Sequence, residues 1–171
     1  MSKSIKTDDG RKIPDCIVHL PNDSGDRRDI VIDAKVSLQA WSEHEESDDP
    51  IVKKDALKRH IQSVKNHIRD LASQSYQNLP GIESLDSVIM FSPNEQAIFG
   101  LGKDSRDILD LAFDKKIVPV GPTMLYFVLK SVADNWSKSK QSKNMHPLRN
   151  FPSSNFSCFL TLLLRYAHTK T

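Results

Sequence analysis

The sequence predicts an α/β fold built on a mixed sheet. Three observations carry this reading. Two short alternating runs flank a polar turn near the N-terminus. A long segment repeats its apolar residues at helical spacing. Two short apolar runs follow, each closed by Pro or Gly and separated by helical stretches.

In chain order, Ile13 to Leu20 reads as a strand, Asn22-Asp23-Ser24-Gly25-Asp26 as a turn, and Asp29 to Ser37 as a second strand, together an antiparallel hairpin. A helix follows from about Asp49 to Ser73. Leu57, Ile61, Val64, Ile68 and Leu71 form its apolar stripe, Asp48 or Asp49 can cap it, and Pro50 suits its first position. Ser87 to Phe91 is a continuous apolar run, as expected of a strand covered on both faces. Asn94 to Leu101 and Asp104 to Phe113 read as helices. Ile117-Val118-Pro119-Val120 reads as a strand whose proline points to an edge position. Pro122 opens a helix to about Asn144. From Met145 onward, Pro147, Pro152 and clustered Ser and Asn break the pattern. Residues 145–171 therefore form a divergent tail, possessing an apolar run only from Phe156 to Leu164.

Composition narrows the classes. At 171 residues, 38% hydrophobic and 27% charged, the chain suits one globular domain. A formal charge of +2 does not announce a nucleic-acid binder. The charge is uneven, however: residues 122–149 carry Lys130, Lys138, Lys140, Lys143 and Arg149 against Asp134 alone. Cys16 and Cys158 form no CxxC, which excludes a disulfide framework or a cysteine zinc site as the organising feature and suggests a reducing, cytoplasmic setting. The polar leader lacks the apolar core of a signal peptide. The run Phe156–Leu164 falls short of the ~20 residues a membrane helix needs.

The hairpin holds the residues that suggest chemistry. Side chains alternate faces along a strand, so Asp33 and Lys35 share one face of the second strand and Asp15 lies on the same side of the first. A turn centred near Ser24-Gly25 sets Asp15 across from about Ala34, with Asp33 and Lys35 as its nearest same-face neighbours. Two close carboxylates repel, and a divalent cation relieves that repulsion. Mg²⁺ suits such a site, and a neighbouring lysine can orient a bound water or stabilise phosphoryl charge. A structural reading competes: charges on an exposed strand face are usually solvated, and Asp15 with Lys35 makes a plain cross-strand ion pair. Against it, Asp33 interrupts the apolar run Ile30-Val31-Ile32.

Other signals are weaker. Gly100-Leu101-Gly102-Lys103 lacks the remaining residues of a phosphate loop, and His44-Glu45-Glu46 lacks the second histidine of a zinc helix. His60 and His67 read as partly exposed helix residues rather than metal ligands. Trp136 with Lys138, Lys140 and Lys143 can grip a nucleic-acid backbone, or can be a solvated helix end with the indole turned inward.

Pro14-Asp15 followed by Asp33-Ala34-Lys35 resembles the PD-(D/E)xK nuclease motif. The surrounding text is more specific. Gly10 to Pro21, Ile30 to Leu38, Tyr76 to Gly81, Ser84 to Glu95 and Val118 to Leu125 closely resemble the RmuC family of DNA recombination proteins, and the resemblance spans residues 4–144. It implies a restriction-endonuclease-like core, DNA as partner, and a role in limiting rearrangement at inverted repeats through nuclease action. It also implies Asp15 and Asp33 as ligands of Mg²⁺ (or Mn²⁺) and Lys35 as the catalytic lysine. Glu95 falls in a matching segment, either assisting or serving as a helix N-terminal carboxylate. The chain departs from the family in three ways. The membrane segment and coiled coil are absent, the helix and strand that precede Pro-Asp in the family are missing, and the text diverges after Asn144. The expectation is a truncated product with a replaced C-terminus. A non-catalytic DNA-binding or interaction domain that keeps the nuclease fold is the alternative.

Overall fold

In the computed structural model, four strands form one mixed sheet in the order β1-β2-β3-β4. The structure describes residues 14–20, 28–34, 36–74, 76, 82 and 87–141, with the backbone alone for His19, Arg28, Ala133 and 135–141. Strand β1 (Cys16–Leu20) pairs antiparallel with β2 (Arg28–Asp33), closing the predicted hairpin. Strand β2 runs parallel to β3 (Val88–Phe91), and β3 parallel to β4 (Ile117–Val120). Each parallel pair needs a crossover. Helices α1 (Gln39–Glu46) and α2 (Pro50–Ser73) supply the first; α3 (Gln96–Phe99) and α4 (Lys103–Asp114) supply the second. Helix α5 (Pro122–Gln141) follows β4.

Both faces of the sheet are covered. On one, Val31 and Met90 pack with Val64, Ile68 and Leu71 of α2 and with Ile108 and Ala112 of α4. On the other, Cys16, Val18, Ile32, Ile89, Phe91 and Val120 pack with Leu125 and Val132 of α5. All four residues of β3 are buried, which is why that strand is apolar without alternation. Pro119 lies on β4, at the end of the strand order, where its missing N–H leaves no neighbouring strand unpaired.

Local signals place α2. The Asp49 side chain accepts a hydrogen bond from the Ile51 N–H at 2.8 Å, and Pro50 occupies the first helical position. The same proline explains α1, a helix that the periodicity does not reveal. Its eight residues bury only Trp41. The chain leaves α1 through extended backbone at Ser47, and Asp49 is extended as well because the residue before proline is driven out of the helical region.

The buried line of α2 runs through Ala56, His60, Val64, Ile68 and Leu71, leaving Leu57 and Ile61 half-buried at its margin. The helix is turned so that His60, expected to be partly exposed, is fully enclosed. Its Nε2 lies 2.7 Å from the Ala97 carbonyl oxygen, so the ring donates there. Helix α3 is only four residues long and cannot satisfy that carbonyl internally. Trp41 covers the ring at 5.4 Å. Burial holds the His60 imidazole below its ordinary range; the Ala97 bond opposes the shift and nearby His44 adds to it. Because the unfolded chain takes up the proton first, His60 contributes stability above its ordinary titration range, and that contribution falls as pH drops through it. Between pH 7.5 and 5, the parent is expected to lose more in thermal midpoint than His60→Gln, which keeps a donor for Ala97. Equal losses would remove His60 as a source of acid sensitivity.

Two further observations bear on the sequence reading. Cys16 is not a free thiol, and its partner lies outside the described residues. Among the described residues, no helix is long and apolar enough to cross a membrane.

Candidate functional site

The site begins with the hairpin's register. Cys16 pairs with Ile32 and Ile17 with Val31, so one further step sets Asp15 opposite Asp33. This differs by one residue from the turn-based expectation of Ala34. Directly opposed residues share a face, so the observed register is the one that brings the two aspartates together. That face is not solvated: α2 covers it, and Asp33 is only 1% exposed.

A buried carboxylate needs partners. The Tyr76 hydroxyl donates to Asp33 Oδ1 at 3.3 Å, and His67 Nε2 lies 3.7 Å from Asp33 Oδ2. Burial raises the Tyr76 phenol well above the usual tyrosine range, reinforced by the charge and hydrogen bond of Asp33 and then by the charge of Asp15. Tyr76 therefore stays protonated and remains a donor. Asp15 is half-buried, and its Oδ2 accepts from the Ala34 N–H at 2.9 Å, tying the start of β1 to the exit of β2.

Beside this pair lies an open cleft of about 420 Å³. Val36 and Ser37, just past β2, form one wall; Arg59, Gln62, Ser63, Asn66, His67 and Asp70 of α2 form the other. His67 belongs to both places, lining the cleft and touching Asp33.

Of the residues the sequence singles out, Asp15 and Asp33 meet. Lys35 and Lys143 lie outside the described residues. Lys138 and Lys140 lie within the span of α5, with only their backbone described. Glu95 has a different position. Asn94 caps α3, accepting from the N–H groups of Gln96 and Ala97, while Glu95 Oε1 accepts from the Thr123 N–H at 2.9 Å in the first turn of α5. It is a helix N-terminal carboxylate, but for a helix 27 residues farther on, Pro122 following Glu95 by that interval. Gly121 makes room for it, since a Cβ there would overlap the Glu95 side chain.

Tyr76 and His67 are the residues that sequence reasoning missed. His67 did carry a signal: it stands seven residues after His60 and beside Ile68, on the buried side of α2. Among the described residues, no group of three or more His, Cys, Asp or Glu is arranged to hold a metal. Two carboxylates are the kind of donor set through which proteins commonly hold Mg²⁺, with water and substrate oxygens completing the shell.

A model of the RmuC family matches residues 1–151. The DNA recombination protein RmuC homolog of Pseudomonas aeruginosa is 32% identical over 92% of this chain and 34% of its own length. The DNA recombination protein RmuC of Salmonella typhimurium is 42% identical over 78% of this chain and 27% of its own, and that of Escherichia coli K12 is 41% identical over the same shares. The chain thus spans about a quarter to a third of the length of these curated relatives. No solved structure matches it. With the family model covering most of the sequence, this chain belongs to the RmuC family.

Proposed function

We propose that the chain carries a hydrolytic site of an RmuC-type DNA recombination protein, cleaving DNA phosphodiesters with Mg²⁺ and so limiting rearrangement at inverted repeats. The observation that supports this best is the register that opposes Asp15 and Asp33 at the carboxyl end of β2, with Lys35 two residues beyond. The names of the relatives supply the DNA context.

In this reading Asp15 and Asp33 hold the cation. When bound, Mg²⁺ supplies charge neutralisation at the phosphoryl oxygens and a more acidic water. Tyr76 and His67 fix the Asp33 carboxylate, and the Ala34 N–H fixes that of Asp15. Lys35 stabilises charge on the phosphoryl group as the oxygen of water adds to phosphorus. The bond from phosphorus to a sugar oxygen breaks, and that oxygen leaves with a proton. Lys138, Lys140 and Lys143 hold the DNA backbone.

A second reading has its own observation. Asp33 is enclosed and Asp15 is engaged with backbone, as in a clasp that merely closes the hairpin. The domain then binds DNA without turnover. Lys35→Ala separates the two. Hydrolysis predicts that cleavage collapses while DNA affinity changes little. If affinity and cleavage fall together, Lys35 is a binding residue, and an unchanged variant removes it from both roles.

A further inference from the structure

The cleft beside Asp33 is built mainly from neutral polar groups. The one guanidinium among its described lining residues, Arg59, is already committed, donating at 2.8 Å to both Asp55 and Glu43. It is therefore a poor trap for phosphate. The remaining donors and acceptors are the hydroxyls of Ser37 and Ser63, the amides of Gln62 and Asn66, the His67 ring and, at the far end, the Asp70 carboxylate, which can accept from an exocyclic amine of a base but repels phosphate. The Gln62 NH₂ donates to Asn66 Oδ1 at 2.8 Å. That bond fixes both amides and leaves the Asn66 NH₂ and the Gln62 oxygen making no hydrogen bond among the described residues. A donor and an acceptor held side by side match the edge of a nucleobase. The volume of about 420 Å³ lies in the range of small-molecule sites and is far too small for a duplex.

Placement connects the cleft to the aspartates. Its first wall starts at Val36, immediately after Lys35, and His67 runs from the cleft to Asp33. We propose that this cleft is a nucleotide subsite. It takes one unpaired nucleotide of a DNA strand, with Gln62 and Asn66 on the base edge, and it directs the adjoining phosphate to Asp15 and Asp33. Bases stacked in a duplex cannot enter a pocket of this kind, so the subsite selects single-stranded or unpaired DNA. The inference rests on DNA as the partner and deepens the hydrolytic reading, but it does not need turnover to be tested.

The test is fluorescence anisotropy of the full chain with a labelled single-stranded oligonucleotide and with its blunt duplex, both in EDTA. The parent is expected to bind the single strand more tightly. Ser63→Trp, which fills the cleft, is expected to weaken single-strand binding about tenfold, and the double variant Gln62→Ala/Asn66→Ala about fivefold or more. Neither should change the slope of affinity against salt, because no phosphate-paired cation is removed. Circular dichroism checks folding; if Ser63→Trp does not fold, the double variant, at two exposed positions, carries the comparison. Equal affinity for both DNAs, no binding by the parent, or parent-like binding by the folded variants overturns the subsite. Strand binding that the variants lose, in a parent that cleaves nothing when Mg²⁺ is restored, leaves the subsite standing and removes the hydrolytic reading. Cleavage with unchanged binding in the variants does the reverse.

Discussion

Asp33→Asn is expected to abolish Mg²⁺-dependent cleavage of DNA, with a loss on the order of 10³-fold. A ligand that holds the cation controls several kcal/mol of transition-state charge stabilisation, and each ~1.4 kcal/mol is a factor of ten in rate. The fold should survive, because asparagine keeps an oxygen where the Tyr76 hydroxyl donates. Calorimetric titration with Mn²⁺ gives an independent reading of the same change. The parent is expected to show saturable binding and the variant none, since one of two opposed carboxylates has gone. Cleavage retained within a few-fold would remove Asp33 from the reaction. A folded parent that binds no Mn²⁺ would favour the hairpin clasp, and the domain would then be a DNA-binding one.

The largest stability effect is expected from Ile68→Ala. Ile68 is fully buried in the cluster that fastens α2 to the sheet. Truncation removes transfer energy and leaves a cavity, together about 2–5 kcal/mol. In a chain of this size that lowers the thermal midpoint by roughly 4–20 °C. Ile68 also neighbours His67, which touches Asp33, so the helix that supplies core packing is the one that covers the site. Mn²⁺ affinity is expected to fall in this variant although no carboxylate is altered. Lys58→Ala, exposed on the same helix, should stay within about 0.5 kcal/mol of the parent. A midpoint for Ile68→Ala close to that control would mean that α2 is not held by this cluster.

The contrast between Asn94 and Glu95 shows how local and distant information divide. Asn94 caps the helix that follows it, an interaction reaching two and three residues along the chain. Glu95 caps a helix it meets only because β3 and β4 lie side by side with their ends together.

Short-range physics made much of this fold legible in the sequence. Alternation located the hairpin, an unbroken apolar run marked the covered strand β3, and a proline marked the edge strand β4. Asp49 and Pro50 marked the start of α2. Each of these signals depends on neighbours a few residues apart, whose geometry is set by the strand and helix repeats. The same alternation put Asp15 and Asp33 on one side of the hairpin. Helix α1 was hidden because a single buried residue, Trp41, makes no periodic pattern.

Tertiary structure decided the rest. It chose the register that opposes Asp15 to Asp33, rotated α2 to enclose His60, and laid that helix across the sheet so that His67 and Tyr76 reach an aspartate 34 and 43 residues away. These contacts follow from the crossover packing of helices on parallel strands. The energy that selects that packing is non-directional burial of apolar area, spread over many residues, and no local stretch of sequence encodes where it will bring two distant side chains together.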